Sequence, residues 1–275
     1  MPVTGATSYH GYDTEDYRAI DPDYGTLDDF AALLAAAEAR GMRVIIDLVV
    51  NHTSVRHPWF VDACSGPTAS LRDWYVWRDA DPGWGPPAGI HNDTPWHPWG
   101  PSHYYGAFAA TRPDLNFANP DVRAEVMDIA GFWIGKGVAG FRLDAVRYLV
   151  ETGEGAGQAD TPETHALWRE FRQAVDAAAA ASGHGPALLL AEAWADRATV
   201  QRYFGDGSPA GAEFHMAFDF DLAGAILKAT REGKPDRIRR AIASVLDNYP
   251  AHAQNATFLT NHDQNRISGM LKGDP

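Results

Sequence analysis

The chain has little that would staple it, anchor it or charge it positively. Its 275 residues include a single cysteine, Cys64, so no internal disulfide can form and nothing signals an oxidising compartment. There is no run of about 18 apolar residues, which excludes a membrane-spanning helix. The opening residues, Met1 to Ser8, lack a basic segment followed by an apolar one, so no secretory signal is read there. The compartment stays open, cytoplasmic only by default, because the N-terminus reads as truncated. Basic residues are in deficit, 23 against 36 acidic, for a net charge of −13, which argues against nucleic acid and anionic membrane surfaces as partners. No internal repeat occurs, and the one biased run is the alanine stretch near Ala177–Ala181. What remains is a chain with 45% hydrophobic residues, long enough for one barrel-sized domain.

The most informative stretch is Gly140-Phe-Arg-Leu-Asp-Ala-Val-Arg-Tyr-Leu149. On a strand, Arg142 and Asp144 would share one face, since alternate side chains point the same way. A cation beside a carboxylate keeps it ionised and low in pKa, and such a carboxylate can act as a nucleophile. A structural Arg–Asp pair at a strand end would read the same way. Three further stretches join it: Asp47-Leu-Val-Val-Asn-His-Thr53, Ala191-Glu-Ala-Trp194 and Phe258-Leu-Thr-Asn-His-Asp263. Each is a short apolar run ending in polar groups, as barrel strands read where their C-terminal ends face an active site. Asp47, Asn51, His52, Arg142, Asp144, Glu192, His262 and Asp263 fall at these ends.

Helical spacing over Leu27–Arg40, stopped by Gly41, precedes a β-branched strand at Met42–Val50. Strands are then predicted near Val138–Leu143, Ala187–Ala191, Met216–Phe220 and Thr257–Leu259. Helices are predicted near Asp121–Lys136, Pro162–Ala181, Thr199–Tyr203 and Pro235–Asn248. This rhythm is that of an α/β protein with a (β/α)8 TIM barrel, incomplete here: strands from about the second or third to the seventh can be placed, whereas the first and eighth have no candidate. Ser8–Tyr17 reads as a loop. The rhythm breaks between His52 and Asn119, in a segment too long for a structureless connection and rich in tryptophan. The domain reading is thus residues 1–52 as barrel, 53–119 as a small inserted domain after the third strand, and 120–275 as barrel again, with no candidate for an eighth strand. The inserted aromatics would pack their own core or offer flat faces to a ligand.

The ordered set SYHGYDTEDY, DLVVNHTS, RPDLNFANP, GFRLDAV, AEAW and FLTNHD resembles glycoside hydrolase family 13, the α-amylase family, over nearly the whole chain. The resemblance implies a retaining mechanism with Asp144 as nucleophile, Glu192 as general acid/base and Asp263 as a third, transition-state-stabilising carboxylate. Retention needs two carboxyls roughly 5–5.5 Å apart, a spacing that neighbouring strand ends, about 4.8 Å apart, can supply. The apolar neighbours of Glu192 would raise its pKa and keep it protonated. Tyr12 would offer a stacking face and Asp13 would bind hydroxyls, although an ordinary turn with a capping Asp would look alike. His52 and His262 match hydroxyl-binding positions, for which a buried neutral ring is suited; either could be a core histidine, and His10 is a further candidate. Asn51, Asp114, Glu151 and the carbonyls of Tyr148 and Leu149 match a structural Ca2+ site, whose oxygen-only ligands suit that ion. Alternatively, Asn51 merely bonds the loop. Zinc is disfavoured, there being no cysteine cluster.

The expected substrate is an α-glucan, cleaved at α-1,4 bonds of starch or malto-oligosaccharides through a covalent glycosyl-enzyme. Ala145, small where α-1,6-specific relatives carry valine, leans the same way. The alternative is a trehalose synthase or an α-glucosidase-type transglycosylase; YLVE and PETHAL echo that branch, but Trp194 replaces its asparagine. A further alternative is a non-catalytic barrel, as in the heavy subunits of amino-acid transporters, or an inactive fragment.

Overall fold

The computed structural model describes residues 2–5 and 10–271 and divides into two compact units, residues 1–189 and 190–275. Ser8 and Tyr9, the start of the predicted loop, lie outside the described residues.

In the first unit, strand β1 (Pro2–Thr4) pairs antiparallel with β2 (Thr14–Ile20). The sequence reading placed Thr14–Tyr17 in a loop, and the structure corrects it. Their polar side chains hide a strand that is made by pairing and by Arg18, whose guanidinium holds Glu125 and Asp128 at 2.6 Å each. Helix α1 (Leu27–Glu38) begins with a reciprocal cap between Thr26 and Asp29. The third strand is shorter than predicted: β3 covers Ile46–Leu48, and the residues after it, Val49 to Thr53, turn away while staying buried.

The long segment that follows is not structureless. A short helix, α2 (Pro58–Ala63), precedes a small antiparallel sheet of β4 (Trp77–Arg78), β5 (Trp96–Trp99) and β6 (Ser102–Tyr105), with β6 central. Its aromatics mostly pack on one another. Phe60 meets Tyr75, Trp77, Trp99 and Tyr104 within 6.2 Å, and Trp96 is fully buried beside Trp84 and Tyr105. Cys64 sits half-buried here, its carbonyl taking a bond from Trp99 Nε1.

Helix α3 (Pro120–Gly135), with proline in its first turn and an Asn119 cap, leads into β7 (Gly140–Leu143), which pairs parallel with β3. Gly140, at φ 136°, brings its backbone against Leu188; a Cβ there would lie 2.0 Å from the Leu188 carbonyl oxygen. Helix α4 (Pro162–Ser182) follows, capped by Thr161 and ended by Gly183 in the left-handed region. Its buried face, Leu167, Trp168, Phe171, Val175 and Ala179, keeps the helical period, and each large side chain contributes about 1.5–3 kcal/mol by burial. Strand β8 (Leu188–Ala191) starts in this unit, where Leu188 N–H bonds the Ala139 carbonyl at 2.9 Å.

In the second unit β9 (Met216–Phe218) pairs parallel with both β8 and β10 (Gln254–Ala256). The last strand lies just before the predicted Thr257–Leu259; register with β9 selects the polar residues over the apolar run. Helix α5 (Arg197–Val200) continues as a 3-10 turn over Gln201–Phe204. Helix α6 (Phe220–Glu232), capped by Asp219, is one the sequence reading missed. Helix α7 (Asp236–Asn248) packs against it, and α8 (Ile267–Met270) is a single turn. Among the described residues no helix is long and apolar enough to cross a membrane.

Candidate active site

The register of β3 and β7 sets Asp47 directly beside Arg142, and alternation puts Asp144 on the same face as Arg142. One guanidinium nitrogen, Arg142 Nη1, donates to Asp47 Oδ1 at 2.5 Å, to Asp144 Oδ1 at 2.7 Å and to the Tyr12 hydroxyl at 3.1 Å. The Tyr12 ring also lies 5.3 Å from the Arg142 guanidinium carbon. Arg142 and Asp144 are mostly shielded, with side chains 9% and 14% exposed, so this charge contact is screened less than a surface pair. Asp144 is thereby an oriented carboxylate at the C-terminal end of a parallel strand. The next residue, Ala145, is buried and left-handed at φ 53°, which turns the chain away from the strand end.

His52 lies in the buried turn after β3. Its carbonyl and that of Val49 face the Tyr17 hydroxyl at 3.1 and 2.9 Å, and its Nε2 meets the Tyr12 carbonyl at 3.1 Å. A carbonyl can only accept, so Nε2 carries the ring proton. Burial pushes the His52 pKa down to about 4, against the opposing pull of Asp144. The ring is therefore neutral at ordinary pH.

Asp13 does not stand alone. Arg112 Nε reaches Asp13 Oδ1 at 2.5 Å, and Arg112 Nη2 reaches His10 Nε2 at 2.6 Å, while the His10 ring stacks on Tyr12 with centroids 5.8 Å apart. The sequence reading quoted Arg112 only as the first residue of RPDLNFANP and gave it no role; the fold brings it to Asp13 from about a hundred residues away.

The proposed calcium ligands form a third group. Asn51 Oδ1, Asp114 Oδ2 and Glu151 Oε2 are buried oxygens without a hydrogen-bond partner. Burial, reinforced by the Glu151 charge, drives the Asp114 pKa well above the carboxylate range, and burial lifts Glu151 to about 7. Tyr148 and Leu149, whose carbonyls complete the expected set, are themselves buried. Orphaned buried oxygens on two carboxylates and an amide suit a hard divalent cation. Among the described residues no three His, Cys, Asp or Glu side chains form a metal-ligand group, so such a site relies on the amide and carbonyl oxygens as well.

The second unit holds Glu192, His262 and Asp263. Glu192 follows β8 between Ala191 and Ala193, both fully buried, and its Oε1 accepts from Asn261 Nδ2 at 3.5 Å. Trp194, 51% exposed, stacks on Phe220 at 4.5 Å, and Phe220 packs on Phe258 at 5.0 Å. This aromatic row braces the Glu192 segment against the stretch carrying Asp263. His262 Nε2 and Asp263 Oδ2 are 3.4 Å apart, with side chains 45% and 52% exposed; His262 thus differs from the buried ring the sequence led us to expect.

An arginine-held carboxylate at a strand end, beside a tyrosine and a buried neutral histidine, describes a barrel enzyme of the sugar-processing kind. All of residues 1–275 match the model of the alpha-amylase catalytic domain. The chain belongs to the alpha-amylase family, glycoside hydrolase family 13, and its parallel strands and crossover helices are those of the family's (β/α)8 barrel. It is 40% identical over 259 residues to the trehalose synthase/amylase TreS of Mycobacterium tuberculosis, covering 92% of this chain and 42% of that protein. Against alpha-amylase 3 of Dictyoglomus thermophilum it is 35% identical over 276 residues, covering 99% and 50%. The crystal structure of alpha-amylase from H. orenii superposes with a TM-score of 0.82 at 37% identity, covering 100% of this chain and 53% of that one. The chain spans about half the length of the curated relatives it matches.

Proposed function

We propose that the chain carries the catalytic groups of a retaining enzyme that takes a glucosyl unit from a small α-glucoside and passes it to water or to another sugar. The observation behind this reading is the Arg142 guanidinium bonded at once to Asp47, Asp144 and Tyr12. Asp144 attacks the anomeric carbon as its bond to the leaving oxygen breaks, and Glu192 gives that oxygen a proton. Glu192 then takes the proton from the incoming hydroxyl as the glucosyl–Asp144 ester is cleaved. Arg142 holds the Asp144 carboxylate in place, neutral His52 and Tyr12 contact sugar hydroxyls, and His262 and Asp263 bind from their own segment. We assign residues 53–119 to an inserted domain B, and Asn51, Asp114, Glu151, Tyr148 and Leu149 to a structural Ca2+ site that fastens it. When bound, the ion offsets the charge of the two buried carboxylates.

The trehalose synthase or α-glucosidase type of activity is favoured by the 40% identity to TreS. Endo-cleavage of starch is the second reading, supported by the likeness to the H. orenii amylase and by Trp194, which stands where the trehalose synthase branch carries asparagine. Incubating the intact protein with maltose and with soluble starch separates them. Trehalose or glucose formed from maltose, with starch left nearly untouched, is the expected result; rapid loss of iodine-staining starch would reverse the order of the two readings.

A further inference from the structure

Among the described residues, two that are not glycine hold a left-handed backbone, Ala145 at φ 53° and Asp160 at φ 56°. That conformation is unfavourable for a residue with a Cβ and persists where the surroundings over-determine it. One ion pair joins the two places. Ala145 directly follows Asp144, and two residues further on Arg147 reaches Asp160, Nε to Oδ1 at 3.0 Å and Nη2 to Oδ2 at 2.6 Å. This fork is bidentate and shielded, its side chains 10% and 14% exposed, and so belongs to the strong class of charge-assisted contacts. The backbone closes the same loop, with the Asp160 N–H donating to the Arg147 carbonyl at 2.8 Å. Asp160 directly precedes Thr161, the cap of α4, and Trp168 on that helix donates to the Val146 carbonyl at 2.8 Å. The remaining guanidinium nitrogen, Nη1, faces the Tyr148 hydroxyl at 3.4 Å and the Ala88 carbonyl at 3.5 Å. All three nitrogens of Arg147 are thus committed within the protein.

We propose that Arg147 and Asp160 are a positioning pair, which holds the strained turn after Asp144 and so keeps that carboxylate aimed at the anomeric carbon without touching the sugar. The inference rests on the glycosidase reading above and adds two residues to its machinery. Arg142 fixes one oxygen of Asp144 from the side, but the main chain that carries Asp144 leaves β7 through the Ala145 turn. A turn free to relax towards the right-handed region would carry the carboxylate with it. Removing either partner also leaves the other as an unpaired buried charge, so the turn loses its clamp whichever member is replaced. A misplacement of about 1 Å in a reacting group can cost about 100-fold in rate. Because Arg147 has no nitrogen to spare for a hydroxyl, the loss should fall on turnover and leave sugar affinity alone.

The test follows trapping of the intact protein by 5-fluoro-α-D-glucosyl fluoride, with and without excess calcium. The anomeric C–F bond breaks, fluoride leaves with the electron pair, and an ester forms on Asp144. The second fluorine slows hydrolysis of that ester, which accumulates and is counted by intact mass. Fluoride needs no proton to leave, so the trapping rate reads the attack by Asp144. In Arg147→Met and in Asp160→Asn the maximal rate should fall by about 10- to 100-fold, with the half-saturating concentration within about twofold of the wild type. The double variant should be no slower than the slower single, since the two residues act as one, and Arg147→Lys should recover part of the rate. Asparagine tolerates the left-handed region, so Asp160→Asn decides even if Arg147→Met fails to fold. Unchanged maximal rates in folded variants would overturn the inference. So would a loss confined to the half-saturating concentration, which would make Arg147 a sugar contact. A loss abolished by excess calcium would overturn it too, by tracing the effect to the proposed ion site at Tyr148 and Leu149. A wild type that is neither trapped nor able to cleave any α-glucoside would instead remove the glycosidase reading, and the inference with it.

Discussion

Asp47 and Arg142 face each other in register across β3 and β7, joined at 2.5 Å, and the same Arg142 nitrogen reaches Asp144 at 2.7 Å. Two carboxylates thus share one cation. Arg142→Lys keeps a charge but loses the planar fork, and Arg142→Gln loses the charge. We expect kcat on maltose to fall by at least about 100-fold in both, the loss typical of removing one preorganised electrostatic contact. Asp47→Asn, which leaves the guanidinium to Asp144 alone, should cost far less. Steady-state kinetics on the three variants check this, and near-wild-type kcat in Arg142→Gln would contradict it.

Gly140 meets the Leu188 backbone too closely for any side chain. Gly140→Ala should separate the start of β8 from the Ala139 carbonyl and destabilise the chain by about 4 kcal/mol or more, the range reserved for changes of this severity. A urea midpoint within experimental error of the wild type would show that the backbone yields cheaply.

His57 is 4% exposed and accepts the Trp59 N–H as the cap of α2. Burial lowers its pKa from 6.5 to about 4. The unfolded chain therefore binds more protons than the folded one between these values, and stability rises with pH across the window. The contribution is complete above about pH 6.5 and is lost as the pH falls towards 4; protonation also removes the cap acceptor. Between pH 7 and 5 the expected loss is about 2 kcal/mol from this group. His52 adds a similar dependence. His57→Asn keeps an acceptor for the cap and should flatten the pH slope of the urea midpoint; identical slopes in variant and wild type would contradict the assignment.

For the proposed Ca2+ site, adding the ion at about a hundred times its dissociation constant should stabilise the protein by about 2.7 kcal/mol, read as a rise in the thermal midpoint that EDTA reverses. Asp114→Asn removes one of two buried carboxylates. In EDTA it should be at least as stable as the wild type, and it should respond far less to calcium. A wild type indifferent to both calcium and EDTA would argue that Asn51 only secures its loop.

The strand ends were legible because their chemistry is local. Glycine, the apolar Phe141 and Leu143 and the Arg142/Asp144 pair mark β7, and the Asp47-to-His52 run marks β3. Helices α3 and α4 announced themselves through Pro120 and Pro162 at their first turns. What depends on partners was hidden. β2 is a polar run made into a strand by Pro2–Thr4 and by Arg18, and β10 is chosen by Met216–Phe218 over the more apolar Phe258-Leu259. Helix α6 carries Gly224 in its middle, and its signal, the Asp219 cap, directly follows residues that read as strand. Arg112 was visible only as the start of RPDLNFANP, because its pairing exists only once that stretch returns to Asp13.

The half-buried thiol of Cys64 has a practical consequence for measuring motion. Burial raises its pKa to about 11, so at neutral pH only about one molecule in ten thousand carries the reactive thiolate. Maleimide or iodoacetamide dyes would then attach preferentially to a cysteine engineered on an open surface, such as the exposed end of α7. A fluorescent reporter could be installed there without first replacing the native sulfur.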